Sequence, residues 1–460
     1  MAWFYSAPWP TFAPPLTCIS SQSVIQLRNG VEQHPFFNRQ ALYLRPDPSR
    51  VVVRPFRPSI EPRDHNPLDK TRVNHIVDWV LGLGVDEVVS LLQATLDSFD
   101  DRHHNLPEIF ERRAREMEVS YFGDASLSLS QRQLIGAYFL NEYSFEAAAL
   151  FNPSIVPHPC QTGAKLGCIR VILSLRAVGE GHISSLTFRS GTIGPDGAMD
   201  IDPPARLARL PAVTACVGDR IELSFMPESD PSERVIFPIT DAQSNGIEDA
   251  RFVAFEHEGT ITYYATYTAY SGRSIRSELL ETADFLSFRL VPLKGTAAEN
   301  KGMALFPRKL NGRYAMIARY DNENLYLLYS DNLSEWTGGT PLLAPKFPGE
   351  FIQIGACGSP IELDEGWLLF IHGVGPMRHY SIGAVLLDKE DVTRVIGRSR
   401  EPLVGPEAAE REGYVPNVVY SCGAMRFGER IVLPYAISDT FSTFSTVKVT
   451  TLVELLKNDL

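Results

Sequence analysis

The chain has 460 residues, of which 44% are hydrophobic and 21% charged, and its formal net charge is −12. This is the composition of an ordinary globular protein, and the length predicts at least two structural units. The acidic balance argues against a general nucleic-acid-binding surface, so an anion would have to bind in a local basic pocket.

The cysteines show neither CxxC nor zinc-type spacing; they are Cys18, Cys160, Cys168, Cys216, Cys357 and Cys422. Cys160 and Cys168 are near enough in sequence to bridge a loop, but free buried thiols in a reducing cytosol are favoured. The proline-broken N-terminus lacks the basic start of a signal peptide, and no apolar run approaches the ~18 residues of a membrane span. We therefore predict a soluble, cytoplasmic protein.

Residues 1–149 are predicted to form an extended and helical accessory region, with one strand over 50–54. Apolar residues at helical spacing, together with proline and capping signals, predict helices over 73–81, 85–99, 108–117 and 130–150. The last of these is predicted to begin at a capping box formed by Ser130 and Gln133. The sequence leaves open whether this region closes a cleft, shapes a binding site or mediates oligomerisation.

From Phe151 onward the chain consists of short β-type runs separated by glycine, proline and aspartate. Units of an apolar strand ending in a polar residue, a loop and a second strand recur every ~50–60 residues, near the period of four-stranded propeller blades. Five such units fit residues 151–460, and we predict a second domain over 150–460. The inner strands of a propeller end at one face, so polar residues at those ends converge. Here they are Arg176, Tyr267, Arg319, His372 and Asp439.

Two polar clusters lead into strand-like runs and carry charged groups suited to catalysis. The first, 246–251, holds the adjacent carboxylates Glu248 and Asp249 beside an arginine, and the second, 299–307, contains Lys301. Glycosidic cleavage needs an acid for the leaving oxygen and an attacking group on the opposite face of the sugar. A hydrolase needs a second carboxylate to activate water, whereas inorganic phosphate is already anionic and needs cations to hold it. If these groups cleave a glycosidic bond, one or two carboxylates among several cations favour phosphorolysis over hydrolysis.

Further motifs occur in a fixed order along the second domain. They are Phe-Asn-Pro-Ser at 151–154, Ser-Leu-Arg-Ala at 174–177, the run 354–360 with Gly-Trp at 366–367 and His-Gly at 372–373, and the run 413–423. Together with 246–251 and 299–307, these motifs resemble in order and spacing those of glycoside hydrolase family 130, the β-mannoside phosphorylases and β-mannosidases. The likeness covers roughly residues 150–460.

This resemblance implies an all-β, five-bladed β-propeller, with the mainly helical N-terminal region outside it. It places Asp249 at the position of the catalytic acid, whose proton is thought to travel through a hydroxyl of the mannose. It implies phosphate binding by Arg176, Lys301 and Arg319, with His372 nearby. It also implies sugar contacts by Asn152, Glu248, Arg251, Tyr380 and Asp439. No metal or organic cofactor is implied, and inorganic phosphate is the co-substrate.

Arg189 is a further phosphate candidate, because it follows a stretch of glycine, histidine and serine at 179–185 that is able to form an anion nest. The same stretch also suits a tight turn between strands. Taken singly, Arg176 or Arg319 would fit a structural ion pair and His372 a buried core histidine. The chain departs from the family pattern at Ala250, where proline is usual, and at Gly302, where aspartate is common, which marks a divergent branch.

The leading prediction is an inverting β-mannoside phosphorylase that cleaves β-linked manno-oligosaccharides with inorganic phosphate to give α-mannose 1-phosphate. The close alternative is an inverting β-mannosidase of the same family, with Glu180, Glu299 or Asp439 as the base. A non-catalytic glycan-binding propeller is the alternative from another class. The predicted partners are the oligosaccharide and phosphate, with no nucleic acid and no membrane. The linkage, the acceptor sugar and the oligomeric state, including a homo-oligomer, are left open.

Overall fold

The structure is a computed structural model, which describes residues 33–56, 72–121 and 127–459. Sequence predictions for the first 32 residues, including the one for Cys18, lie outside the described residues. Within the described ranges the helices are α1 (Arg72–Leu81), α2 (Val85–Phe99), α3 (Leu106–Tyr121), α4 (Leu129–Tyr138) and α5 (Val449–Asn458). None of these helices combines the length and apolar character that crossing a bilayer requires.

The prediction of the fourth helix is wrong at both of its ends. Its capping box is formed by Ser128 and Gln131, since the Ser128 hydroxyl accepts from the Gln131 amide at 3.2 Å and the Gln131 side chain accepts from the Ser128 amide at 3.0 Å. The Ser-x-x-Gln pattern occurs twice within 128–133, and the earlier copy is the one used. The helix ends at Tyr138 rather than near residue 150, because the next segment pairs as a strand with residues 51–55.

The strands before residue 240 are β1 (Asn38–Arg39), β2 (Val51–Pro55), β3 (Leu140–Ser144), β4 (Ala149–Pro157), β5 (Ile169–Val178), β6 (Ser184–Ile193), β7 (Met199–Ile201), β8 (Ala212–Val217), β9 (Arg220–Ser224) and β10 (Val235–Ile236). The next group is β11 (Gly246–His257), β12 (Thr260–Tyr270), β13 (Ile275–Thr282), β14 (Ser287–Pro292), β15 (Ala304–Leu305), β16 (Tyr314–Ala318), β17 (Leu325–Ser330) and β18 (Thr340–Leu343). The last group is β19 (Gln353–Ala356), β20 (Ile361–Glu362), β21 (Trp367–Val374), β22 (Tyr380–Leu387), β23 (Val395–Arg398), β24 (Val419–Tyr420), β25 (Met425–Phe427), β26 (Arg430–Ile437) and β27 (Phe441–Lys448).

These strands form antiparallel groups that follow one another along the chain. β4, β5 and β6 pair in order with β7 and β10 at the edge, and β11 to β14 continue into β9 and β8. The two groups are joined by a single parallel contact of Gly246 with Ser184. The later groups are β15 to β18, then β19, β21, β22 and β23, then β24, β26 and β27. β1 completes the last group by pairing with β27, so a strand from the N-terminal part closes the C-terminal sheet. The structure is thus mostly β, while five blades and a boundary near residue 150 stay predictions.

The hydrophobic core lies between neighbouring groups rather than at one centre. Phe188 of β6 stacks on Phe288 of β14 at 5.7 Å between ring centroids, and Phe306 meets Trp367 edge-on at 5.1 Å. Successive groups of strands therefore pack on each other through buried aromatic side chains.

A buried ion triad joins the N-terminal segment to the first group of strands. Arg50 donates to Glu146 at 2.7 Å, and Arg189 donates to the same carboxylate at 2.9 and 3.1 Å. These side chains are at most 3% exposed. A buried carboxylate held by two guanidiniums fixes the approach of the segment before β2 to β6.

The described cysteines are all free. Cys357 and Cys422 are buried, Cys160 and Cys216 are exposed, and Cys168 is intermediate. The expectation of free thiols is confirmed for these residues, and the expectation of burial is correct for only two of them.

Candidate active site

Two backbone irregularities place the first polar groups of the site. β4 is bulged between Phe151 and Ser154, and β11 is bulged between Glu248 and Arg251. The bulges put Asn152 at φ 50° and Asp249 at φ 52°, a conformation rare for residues with side chains. There the Asn152 amide donates to Asp249 Oδ1 at 2.7 Å. Such strain is typical of residues whose side chains are aimed at a functional site.

Arg176 and Lys301 supply positive charge beside the two carboxylates of β11. Arg176 donates to Glu248 Oε1 at 2.8 Å and to Asp249 Oδ1 at 3.4 Å, and its guanidinium lies 5.0 Å from the Phe151 ring. Lys301 Nζ lies 3.5 Å from Glu248 Oε2. Glu248 therefore bridges two cations, and its carboxylate holds Arg176 in place next to Asp249.

The Asp249 carboxylate is buried, with 8% of the residue exposed. Burial alone would raise the pKa of Asp249, but the neighbouring cations, Arg176 foremost, and the hydrogen bond from Asn152 hold it below its usual value. In the free protein Asp249 is therefore ionised at neutral pH.

Arg251 ties three strands together. Its guanidinium donates to the backbone oxygens of Asp249 at 3.0 Å and Ala356 at 3.4 Å, and to the Tyr420 hydroxyl at 2.7 Å. Only 2% of Arg251 is exposed. These contacts give it a role in holding β11, β19 and β24 around the site, and its contact with a sugar stays a prediction.

Arg319 is a buried cation without a counterion. It follows β16, is 5% exposed, and its Nε and Nη1 have no hydrogen-bond partner within 33–56, 72–121 and 127–459. Among the residues that the structure describes, no carboxylate lies within ion-pair distance of it. Burial lowers the pKa of the Arg319 guanidinium below its usual value. An unpaired buried guanidinium is costly, and it implies a site for an anion that supplies the missing partner.

His372 of β21 lies in the same cationic region. Its ring centroid is 4.7 Å from that of Tyr420 and 5.9 Å from that of Tyr380, and its Nδ1 is 3.8 Å from the Cys357 sulfur. Burial, followed by the charge of Arg319, holds the pKa of His372 well below its usual value. The imidazole is therefore neutral at neutral pH and carries one N–H donor and one acceptor.

Asp439 lies in the turn between β26 and β27, where Ser438 and Asp439 both have φ 47°. Burial raises the pKa of the Asp439 carboxyl to about 7, Arg176 acts against this rise, and Asp249 adds to it. No hydrogen bond to its side chain occurs within the described part of the chain. Asp439 is thus the third carboxyl group of the site, after Glu248 and Asp249, and its affinity for protons is much higher than that of Asp249.

The comparisons with known proteins agree with this geometry. A family model described as beta-1,4-mannooligosaccharide phosphorylase matches residues 227–458. The chain belongs to glycoside hydrolase family 130. A 1,2-beta-oligomannan phosphorylase from Thermoanaerobacter sp. (strain X514) is 33% identical over 53% of this chain and 81% of that protein. A beta-1,2-mannobiose phosphorylase from Listeria innocua is 31% identical over 48% of this chain and 63% of that protein.

A solved structure of a glycosyl hydrolase from Bacteroides ovatus has the same fold, with a TM-score of 0.50 at 18% identity over 67% of this chain and 87% of that chain. The predicted membership of family 130 is therefore confirmed. With it, the chain is confirmed as a carbohydrate-active enzyme, either a glycoside phosphorylase or a glycoside hydrolase.

Most of the site residues predicted for this family 130 chain lie together, although their roles stay predictions. Asn152, Arg176, Glu248, Asp249, Arg251, Lys301, Arg319, His372, Tyr380 and Asp439 are linked by the contacts and charge interactions given above.

Two predicted residues lie elsewhere. Arg189 belongs to the buried triad with Glu146, whose charge satisfies it, so the geometry does not support phosphate binding there. Tyr267 of β12 points into its own group of strands, where it donates to Glu278 and accepts from Gln243 at 3.0 Å. The strand-end rule fails for Tyr267, because its hydroxyl is engaged by Glu278 and Gln243 and not by residues of the candidate site.

Sequence reasoning missed Tyr420. Its hydroxyl accepts from Arg251, and its ring lies beside His372, so it joins the acid side of the site to the cationic side. The residue lies in the matched run 413–423, which carried the signal without showing which of its side chains turns inward.

Proposed function

We propose that this family 130 enzyme is an inverting β-mannoside phosphorylase. A phosphate oxygen attacks the anomeric carbon of a β-linked mannose, the bond from that carbon to the bridging oxygen breaks, and the bridging oxygen takes a proton that originates from Asp249. The products are α-mannose 1-phosphate and the sugar shortened by one residue. The observation that carries the proposal is the buried, unpaired cation Arg319 beside a neutral His372.

Phosphate supplies the negative charge that Arg319 lacks among the described residues. Arg319 offers two donors that have no protein partner, and Arg–phosphate contacts are strong because both groups are charged and the guanidinium is planar. Lys301, with 41% of its side chain exposed, is free to turn toward the same anion. A hydrolase that uses water as nucleophile gains nothing from an uncompensated buried cation.

The acid and the phosphate are coupled by charge. Without phosphate, the surrounding cations hold the pKa of Asp249 low, which makes it a poor proton donor. A bound phosphate anion offsets that positive field and favours the protonated carboxyl. The co-substrate therefore prepares the acid as well as supplying the nucleophile, and this coupling disfavours hydrolysis when phosphate is absent.

The similar proteins support this choice, since the two relatives with the printed activities above are phosphorylases of β-1,2-linked mannosides, while the matching family model is described by a β-1,4 activity. We place the substrate class at β-linked manno-oligosaccharides. The linkage is the first property for the experiment to establish.

Hydrolysis is the second candidate, and one observation favours it. Asp439 is a carboxyl group near Asp249 without a hydrogen-bond partner among the described residues, and its pKa of about 7 suits a general base. An inverting hydrolase needs its two carboxyl groups ~6.5–9.5 Å apart with water between them.

The test is to incubate the purified protein with β-1,2- and β-1,4-linked mannobiose and longer oligomers, with and without inorganic phosphate. We expect α-mannose 1-phosphate only where phosphate is present, with the α configuration read by NMR and with Asp249→Asn as the inactive control. Free mannose at equal rates with and without phosphate would establish the hydrolase instead. Turnover by the Asp249→Asn protein would remove the assigned acid.

A further inference from the structure

An exposed aromatic residue stands at the mouth of the site. Tyr414, 40% exposed, precedes β24 in a loop that is fastened to the turn carrying Asp439. The Tyr414 amide donates to Thr440 Oγ1 at 2.8 Å, and the next amide, of Val415, donates to the Ser438 oxygen at 3.0 Å. Burial raises the pKa of the Tyr414 hydroxyl, the charge of Arg176 opposes this rise, and the charge of Asp439 adds to it.

A histidine from another group of strands meets this tyrosine. His182 belongs to the loop 179–183 between β5 and β6, and its ring centroid lies 5.6 Å from that of Tyr414 at an interplanar angle of 45°. His182 Nδ1 and the Tyr414 hydroxyl share a hydrogen bond. The histidine is exposed, and it has φ 61° directly after Gly181 at φ 68°. Glycine adopts this conformation freely, but it is uncommon for histidine, so we expect contacts that hold His182 in place.

Residues of the N-terminal region contact the loop that carries His182 and fix its backbone. The hydroxyl of Tyr143, in β3, shares its single proton between the backbone oxygens of Glu180 at 2.8 Å and Ile183 at 3.2 Å. Tyr143 is 1% exposed, and the Arg54 guanidinium covers its ring at 4.4 Å. A Cβ added at Gly179 would lie 2.1 Å from the Ser144 oxygen, so the loop packs backbone against backbone on strand β3 of the two-stranded β2–β3 sheet.

The position of this aromatic pair identifies the part of the substrate that it faces. An inverting reaction has the nucleophile on one face of the anomeric carbon and the leaving group on the other. The unpaired cation Arg319 marks the phosphate side, whereas the loop of Tyr414 is hydrogen-bonded to the turn that carries Asp439, on the side of the acid. A ring on the acid side faces the sugar that departs.

We propose that Tyr414 and His182 form the aromatic wall of the acceptor site, against which the apolar C–H face of the leaving sugar packs, and that Tyr143 positions this wall. The inference rests on the proposed phosphorolysis and extends it to the choice of acceptor. It assigns to the N-terminal region a role in acceptor specificity, through the paired strands β2 and β3. Aromatic rings with one polar end suit sugars because they offer an apolar face and a hydrogen-bonding tip together.

The test uses the reverse reaction of the full-length protein, with α-mannose 1-phosphate as donor and mannose, mannobiose or glucose as acceptor. Tyr414→Ala is expected to raise the KM for the acceptor about tenfold, as for a lost contact of moderate strength. The KM for α-mannose 1-phosphate should stay unchanged. His182→Ala should act in the same direction. Tyr138→Ala, which removes an exposed tyrosine (44%) on α4, is the matched control and should change neither constant.

Tyr143→Phe separates positioning from mere stability. If the hydroxyl positions the loop, this variant raises the KM for the acceptor while kcat at saturating acceptor is kept. A lowered Tm with an unchanged KM for the acceptor would overturn the positioning role. Equal increases of both substrate KM values in Tyr414→Ala would overturn the acceptor wall.

A failure of the proposed function would show itself separately, as an absence of sugar phosphate with the unmodified protein. In that case saturation-transfer NMR with mannose and mannobiose tests the wall directly. Ligand signals present with the unmodified protein and lost with Tyr414→Ala support it. Signals of equal strength from both proteins would overturn it.

Discussion

At the scale of single residues, the site combines an ionised acid with cations of unequal freedom. Arg176 is engaged by Glu248 and Asp249, whereas Arg319 is buried and keeps two donors without a protein partner. Arg176 therefore acts on the acid itself, whereas Arg319 is available to bind an anionic ligand. Substitutions at the two kinds of position should therefore have different consequences for activity and stability.

The first prediction concerns the acid. Asp249→Asn keeps the size of the side chain and its hydrogen bond with Asn152 but removes the transferable proton, so kcat should fall about 10²–10⁴-fold or more. The measurement is phosphorolysis under saturating phosphate, with the far-UV circular dichroism spectrum as the check that the fold is kept. A rate close to that of the unmodified protein would contradict the assignment of Asp249.

The second prediction is that Arg319→Met raises the stability of the protein and weakens its binding of phosphate. Methionine removes a buried charge that has no partner in the free protein, so Tm should rise, while the KM for phosphate should rise by at least about tenfold because a charge-assisted contact is lost. Arg313→Met is the matched control, since that side chain is 48% exposed and pairs with an exposed Asp331. A lower Tm with an unchanged KM for phosphate would place Arg319 among the structural residues.

The third prediction concerns how the Asp439 carboxyl makes the stability of the protein depend on pH. An aspartate ionises near pH ~3.9 in an unfolded chain, but burial raises its pKa to about 7 in the folded protein. Between these values the folded state keeps a proton that the unfolded state has lost, so this group lowers the free energy of unfolding as the pH rises through that window. Asparagine has no such proton. The Tm of Asp439→Asn minus that of the unmodified protein should therefore grow from pH 4 to about 7 and stay level above it.

Scanning calorimetry of both proteins at pH 5 and pH 8 measures this difference. A difference in Tm that is independent of pH would mean that Asp439 ionises normally in the folded protein. This pH range is specific to a carboxyl group whose pKa is raised on folding. A carboxylate with a lowered pKa would stop stabilising the folded protein only under more acidic conditions.

At the scale of elements, the triad of Arg50, Glu146 and Arg189 connects the N-terminal segment to β6. Glu146→Gln should lower the free energy of unfolding by about 3–5 kcal/mol, because it leaves two buried guanidiniums without a counterion. Glu281→Gln is the control, since its pair with Arg289 is exposed (31% and 45%) and is worth at most about 1 kcal/mol. Chemical denaturation measures both. Equal losses in the two variants would show that the triad does not join the elements as described.

The elements also show how far the sequence could be used to predict this protein. Apolar periodicity was sufficient to predict α1 and α2, and the short β-type runs after residue 150 were sufficient to predict a mostly β architecture. The end of α4 was not predictable in this way, because the segment after Tyr138 becomes a strand only by pairing with β2, a partner far away in sequence. Pairing energy between distant segments is absent from any local pattern.

The same limit applies to the candidate site. Motif order brought Asp249, Lys301 and Arg319 into one hypothesis, but the bulges that turn Asn152 and Asp249 inward are backbone features without a residue signature of their own. Arg189 was misplaced for a related reason. Its partner Glu146 lies outside the matched motifs, so nothing local distinguished a satisfied buried arginine from a free one.

At the scale of the whole molecule, an enzyme of net charge −12 is proposed to bind an anion. Long-range electrostatics do not favour this, since exposed charges are screened beyond the Debye length of ~10 Å at 0.1 M salt. The attraction must come from the buried cationic side of the site. Binding of phosphate should therefore depend on a few side chains, and it should raise the thermal stability of the whole protein.

The last prediction follows from that coupling. A ligand that binds only the folded state stabilises it by RT ln(1 + [L]/Kd), which is about 2.7 kcal/mol at a concentration of 100 Kd. Inorganic phosphate should thus raise the Tm of the unmodified protein in a concentration-dependent way, whereas chloride at equal ionic strength should not. In Arg319→Met the phosphate-dependent increase should disappear while the baseline Tm is higher, and in Arg313→Met it should persist. An equal phosphate-dependent increase in all three proteins would show that the anion binds elsewhere, and the cationic side of this site would lose its assignment as the phosphate site.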